Sequence, residues 1–85
     1  MTYRVILPKP IQKELDRLPS VIHNRIILTA TKLEDNPRPP GCLKLTGRDA
    51  WRIRVGEYRI IYEIDDSKHL VVLTAIAHRK EVYRR

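Results

Sequence analysis

The chain has 85 residues and a formal net charge of +7 at pH 7, from 17 Lys and Arg against 10 Asp and Glu. This length predicts one domain over residues 1–85, because so short a chain has no room for a second hydrophobic core. Its single cysteine excludes an internal disulfide, and it lacks the run of about 20 apolar residues that a membrane helix needs. We therefore expect a cytoplasmic protein with no membrane association. Its basic surface indicates nucleic acid or an acidic protein as partner, although solubility alone would also account for it.

The first half of the chain predicts one strand followed by two helices. Apolar side chains alternate over residues 1–7, which is typical of a strand, and Pro8 ends it. A helix then begins with Pro10 in its first turn, and Pro19 breaks it. Ser20 is placed to cap a second helix, which stops at 36–37 and lies antiparallel to the first. The apolar stripes that define the two helices are Ile11, Leu15 and Leu18, and then Ile22, Ile26, Ala30 and Leu33.

The second half predicts three strands after a proline- and glycine-rich loop over residues 36–47. Alternation over 51–55 and 58–64 indicates a hairpin, with Gly56-Glu57 as a type II′ turn. A second turn over 65–68 leads to an apolar, β-branched run at 69–77, typical of a central strand covered on both faces. The order β-α-α-β-β-β predicts an α+β fold, in which the helical pair packs on a small, mostly antiparallel four-stranded sheet.

The hairpin turn predicts which side chains share a face. With Gly56-Glu57 at the turn, Arg54 lies opposite Arg59. Like charges in that position destabilise a sheet by several tenths of a kcal/mol, on the order of 0.2–1. The presence of both arginines is explained by an anion bound between them, or by a solvated strand face on which Glu57 and Glu63 screen their charge. The core face would carry Trp51, Ile53, Val55, Tyr58, Ile60 and Tyr62, and the opposite face Arg52, Arg54 and Arg59, which we call the arginine face.

Further candidates lie outside the hairpin. Residues 78–85 form a basic tail, in which neighbouring cations would lower the pKa of Tyr83 and suit it to act as a general base, unless it is an ordinary tail residue. His78 and His23 form an acid–base pair only if the fold brings them together. Lys44 and Arg48 are RNA-backbone contacts or simply exposed charge. We expect no metal site, since Cys42 has no second cysteine or histidine beside it.

Three segments together resemble one known family. The runs NPRPPGCLKLTG, WRIRVGEYRIIYEI and AHRKEVYRR resemble the RelE branch of the RelE/ParE toxin superfamily, and the resemblance covers essentially the whole chain. It implies the toxin of a type II toxin–antitoxin system, with a small sheet and two N-terminal helices. It also implies cleavage of messenger RNA in the ribosomal A site, with the RNA's own 2′-hydroxyl as nucleophile and no metal or other cofactor.

The resemblance also implies roles for individual residues. Arg59 and Arg79 would stabilise charge on the phosphate, and Tyr83 would accept the 2′-hydroxyl proton or stack on a base. Well-known members have lysines where this chain has Arg52 and Arg54, and arginine cannot act as a base, so proton transfer falls to Tyr83 or to water. Arg52 and Arg54 would hold the RNA backbone, with Arg54 counted among the catalytic residues, and the other RNA-binding residues would be Lys44, Arg48, Lys80 and Arg84.

The partners implied are a cognate antitoxin, the ribosome with its messenger RNA, and operator DNA as a toxin–antitoxin complex. The basic surface predicts that the antitoxin segment in contact is partly acidic and wraps apolar grooves. Two other functions use the same fold. One is ParE-type inhibition of DNA gyrase through binding, and the other is a non-catalytic co-repressor that binds nucleic acid with the antitoxin. The arginine face together with Tyr83 favours the nuclease.

Overall fold

The computed structural model describes residues 2–78 and confirms the α+β fold, with one strand more than expected. The additional strand has two residues and lies inside the loop that was predicted to be irregular. It pairs with the next strand, with Leu43 opposite Arg52, and so adds one strand at the edge of the sheet. The elements in chain order are β1 (Arg4–Ile6), α1 (Lys9–Asp16), α2 (Ser20–Asp35), β2 (Leu43–Lys44), β3 (Trp51–Val55), β4 (Tyr58–Asp65) and β5 (Leu70–His78).

The five strands form one mixed sheet in the order β1-β5-β4-β3-β2. β1 runs parallel to β5, and the other neighbours are antiparallel. β5 therefore lies inside the sheet, as predicted, but its expected burial on both faces is wrong. Val71 and Leu73 are fully buried on the helical side, whereas residues on the other face of β5 are half-buried or exposed. The sheet thus has one covered face and one open face.

A β-bulge explains why the apolar run of β5 does not alternate regularly. Ile61 pairs with Ala75 and the next residue, Tyr62, pairs with Leu73, so Thr74 is an extra residue. The Thr74 hydroxyl donates a hydrogen bond of 3.1 Å to the carbonyl of Ile61. Without the extra residue, Leu73 and Ile76 would point to opposite faces. The bulge lets both pack on the helical side.

Prolines mark the beginning of both helices, and the predicted Ser20 cap does not. Pro10 lies in the first turn of α1, as expected. The prediction that Ser20 caps α2 is wrong, because Ser20 is already helical and the cap position is Pro19, with φ −55° and ψ 147°. Proline fixes its own φ near this value, so it sets the extended entry without a side-chain hydrogen bond. α2 ends at Asp35, as predicted, and the side chain of Asn36 accepts a hydrogen bond from the Arg38 amide.

The core lies between the two helices and the covered face of the sheet. Five of the seven residues in the predicted helical stripes are buried, and the other two, Leu18 and Ile22, are half-buried against the core. Tyr62 lies among them, and its hydroxyl donates a hydrogen bond of 2.8 Å to the carbonyl of Pro37. Within residues 2–78, neither helix has the length and apolar character needed to cross a membrane.

Candidate functional site

The β3–β4 hairpin has the predicted register. Arg54 pairs with Arg59, and Arg52 pairs with Ile61. Gly56 has φ +60°, whereas Glu57 is not among the residues with positive φ, as a type II′ turn requires. Cross-strand partners share a face, so Arg52, Arg54 and Arg59 all lie on the open face, away from the helices. The hairpin therefore builds the arginine face from two adjacent strands.

The side chains of the arginine face are held in different ways. Arg54 is exposed, and its Nε donates a hydrogen bond of 3.0 Å to the carbonyl of Gly56, which draws the guanidinium toward the turn. Arg52 and Arg59 are half-buried. On β5, Arg59 is opposite Ala77. Alanine ends at a methyl group, so the side chain opposite Arg59 on β5 is short.

The other end of the open face is acidic. A groove of about 640 Å³ lies there, between the loop before β3 and the β4–β5 turn. Glu63 belongs to this end, since it pairs with Val72. It is four residues from Arg59 along one strand, about 13 Å at 3.3 Å per residue. This is the spacing of the two backbone positions, so Glu63 and Arg59 lie toward different ends of the open face.

The two loop cations lie away from the arginine face. Lys44 pairs with Trp51, which places its side chain on the face opposite to that of Arg52. Its Nζ is 4.0 Å from a carboxylate oxygen of Asp49, and both side chains are exposed. Arg48 lines the groove at the acidic end. Their assignment as RNA contacts remains a prediction that this geometry does not favour.

None of the three histidines lies on the arginine face. His78 pairs with Tyr58, and the two rings meet edge to face at 5.0 Å on the helical side. His23 Nε2 is 3.9 Å from Asp16 at the junction of the two helices. His69 packs edge to face on Tyr3 at 5.1 Å, at the far end of the sheet. The fold therefore does not bring His23 and His78 together as an acid–base pair.

The predicted tail residues lie outside the described part of the chain. They are Arg79, Lys80, Tyr83 and Arg84, and their roles remain predictions. The last described residue, His78, belongs to the strand beside Arg59, because Ala77 is the cross-strand partner of Arg59. The tail thus starts from the strand next to the arginine face.

A polar network that sequence reasoning missed anchors the loop before β2. The Arg38 guanidinium donates hydrogen bonds of 3.3 and 2.8 Å to the two carboxylate oxygens of Asp66, and the Tyr3 hydroxyl donates one of 2.7 Å. These hydrogen bonds lower the pKa of the Asp66 carboxyl to about 2, and the one from Arg38 has the largest effect. Arg38 also lies 5.2 Å from the ring centroid of Trp51. The network joins the loop, the residue before β1 and the β4–β5 turn, and Arg38 also contacts Trp51 of β3.

Known proteins share this architecture. A family model described as the ParE toxin of type II toxin–antitoxin systems, parDE, matches residues 5–83. A chain of the archaeal RelE–RelB complex from Pyrococcus horikoshii is 31% identical, covers 100% of both chains and has a TM-score of 0.86. A chain of the toxin–antitoxin complex RelBE2 from Mycobacterium tuberculosis is 27% identical over 93% of this chain and 100% of its own, with a TM-score of 0.81. Toxin RelG from Mycobacterium tuberculosis is 47% identical over 32 residues, which are 38% of this chain and only 37% of that toxin's length.

Proposed function

The chain belongs to the ParE toxin family of type II toxin–antitoxin systems, and from this premise we propose that it is a ribosome-dependent endoribonuclease that cleaves messenger RNA in the A site. Its fold is RelE-like. The observation that carries the proposal is the direct opposition of Arg54 and Arg59 on the open face. Two guanidiniums side by side are costly without an anion and favourable around a phosphate, which arginine binds through paired N–H donors.

The arginine face suits a reaction in which negative charge grows on a phosphate. The 2′-oxygen of one nucleotide attacks the adjacent phosphorus, the bond to the 5′-oxygen breaks, and the products are a 2′,3′-cyclic phosphate and a 5′-hydroxyl. Arg54 and Arg59 would stabilise the transition state, and Arg52 would hold the backbone. Removing a preorganised donor of this kind costs about 10²–10³ in rate.

The proton transfers need a group other than these arginines. Guanidinium does not lose its proton in proteins, and no histidine lies on the arginine face. We assign the proton of the attacking 2′-hydroxyl to the phenolate form of Tyr83, with Arg79 as an additional cation at the phosphate. Water supplies the proton that the departing 5′-oxygen takes up. The strand that leads to both residues lies beside Arg59. Lys80 and Arg84 would contact the RNA backbone.

The proposal includes partners. A toxin of this kind would arrest its own host, so a cognate antitoxin would bind and inhibit it. The relatives form a RelE–RelB complex and a toxin–antitoxin complex, RelBE2, which supports such a partner. The net charge of +7 favours a partly acidic contacting segment. We further propose that operator DNA is bound only by the toxin–antitoxin complex.

The ParE description of the matched family favours inhibition of DNA gyrase as the second candidate. One experiment separates the two functions. Purified toxin is added to ribosomes with an empty A site on a defined message, and the 5′ ends are mapped by primer extension, while a parallel tube measures gyrase supercoiling. Cleavage within the A-site codon that is lost in Arg59→Ala and slowed in Tyr83→Phe is expected. Uncut message with inhibited supercoiling would instead establish the gyrase function.

A further inference from the structure

The helical layer brings one more guanidinium to the hairpin turn. A Cβ built on Gly56 would lie 3.2 Å from Nη1 of Arg25 and 3.2 Å from Cδ1 of Ile22, both on α2. The side chain of Arg25 therefore crosses from the helical layer to the β3–β4 turn. Arg54 reaches the same residue from the open face, through its 3.0 Å hydrogen bond to the Gly56 carbonyl. Guanidiniums from two layers of the molecule thus reach the same turn residue.

Arg25 has no acidic neighbour on its own helix. Residues three and four positions away on a helix are its neighbours, and for Arg25 these are Val21, Ile22, Leu28 and Thr29, none of which is acidic. Within residues 2–78 the guanidinium of Arg25 makes no ion pair. The residue is exposed. An exposed guanidinium that makes no ion pair with the described residues is accessible to an anionic ligand at the turn.

We propose that Arg25 extends the arginine face around the β3–β4 turn and binds the phosphate of a nucleotide that flanks the one held by Arg54 and Arg59. The inference rests on the proposed function, because it takes RNA as the ligand. It gives the RNA a path that leaves the open face at the turn and continues along the edge of α2. A strand with regularly spaced phosphates fits cations arranged in such a row, and each neutralised phosphate releases bound counterions.

The test measures how binding depends on salt. Fluorescence anisotropy follows 2′-O-methyl RNA of three and of nine nucleotides, which lacks the nucleophile and stays intact, between 50 and 200 mM salt. For the nine-nucleotide RNA, the logarithm of the binding constant falls as the logarithm of the salt concentration rises. Arg25→Gln is expected to make this negative slope shallower by about 0.7, the value for one phosphate contact to a single strand. The three-nucleotide RNA should show no change, and Arg25→Lys should retain most of the wild-type slope.

The matched control is Lys68→Gln. Lys68 lies in the turn after β4, at the opposite end of that strand from Gly56, about 23 Å away for an eight-residue strand. The Lys68→Gln substitution removes one positive charge, as Arg25→Gln does, and should leave the slope for both RNAs unchanged. On programmed ribosomes, Arg25→Gln should raise the toxin concentration needed for half-maximal cleavage and leave the maximal rate unchanged.

Three results would overturn the inference while leaving the nuclease intact. The first is an Arg25→Gln slope equal to that of the wild type. The second is an equal loss on the three-nucleotide RNA, which would place Arg25 in the central site or in the fold. The third is that binding of polyglutamate of matched charge depends on Arg25 as strongly as binding of RNA does. This would indicate a surface for an acidic protein. Binding of RNA through Arg25 without cleavage on ribosomes would instead refute the nuclease and retain the inference.

Discussion

Replacing Gly56 by alanine tests the turn on which the arginine face depends. A residue other than glycine at φ +60° costs about 1–2 kcal/mol. The new Cβ must also displace Ile22 or Arg25, each 3.2 Å away. Arg25 is exposed and swings aside at little cost, but Ile22 is half-buried against the core, so we add about 1 kcal/mol, the low end for overpacking. Gly56→Ala should therefore destabilise the fold by roughly 2–3 kcal/mol.

The matched control is Gly47→Ala, because Gly47 also has positive φ, +75°, but no atom lies within 4 Å of a Cβ built there. It should cost about 1–2 kcal/mol, so the two variants should differ by about 1 kcal/mol, or about 4–8 °C in Tm for a domain of this size. Urea unfolding with thermal melts measures both. Equal losses in the two variants would show that α2 does not press on the turn. An undisturbed Gly56→Ala protein would refute the type II′ turn.

The remaining predictions concern the contacts that hold the loop before β2. Tyr62→Phe should cost about 1–3 kcal/mol in unfolding free energy, because the buried carbonyl of Pro37 loses its donor, and a Tm unchanged from the wild type would contradict this role. The pKa of Asp66 is lowered from 3.8 to about 2, so its contribution to stability is complete above pH 4 and is lost as the pH falls toward 2. Asp66→Asn should flatten the fall in stability between pH 4 and pH 2, measured by urea unfolding, and an unchanged pH profile would exclude the Arg38–Asp66 contact as its source.

The parts of the fold that follow local rules were predictable. Helical spacing identified the buried residues of both helices, and Gly56-Glu57 determined the whole β3–β4 register, including the Arg54–Arg59 opposition. A two-residue turn leaves one register, and one register decides which face each side chain takes. The open arginine face follows from the sequence for this reason.

The features that escaped prediction depend on contacts between distant segments. β2 has two residues in a proline- and glycine-rich loop, and only its pairing with β3 makes it a strand. The bulge at Thr74 becomes visible only when β5 is aligned with β4. Strand β5 begins at Leu70 and not at His69, because His69 takes φ +55° to close the turn. None of these is encoded in a local pattern.

The polar contacts that position the site are likewise non-local. Arg38 and Asp66 are 28 residues apart in sequence, and Tyr3 is 63 residues from Asp66, so no spacing rule pairs them. Arg25 resembled an ordinary surface residue of an amphipathic helix until its guanidinium was located beside Gly56. Sequence reasoning identifies cations that share a strand face, and the three-dimensional packing is needed to add those from another layer.

The central claim is that Arg54 and Arg59 act on the same phosphate. A double-mutant cycle of single-turnover cleavage on A-site-programmed ribosomes tests it most directly, with Arg54→Ala, Arg59→Ala and the double variant at saturating toxin. Each single change should slow cleavage about 10²–10³-fold, and the double variant should be slower than either by much less than the product of the two effects, because groups that act as a unit are not additive. Rates that multiply, or single variants that cleave as fast as the wild type, would contradict a shared phosphate site.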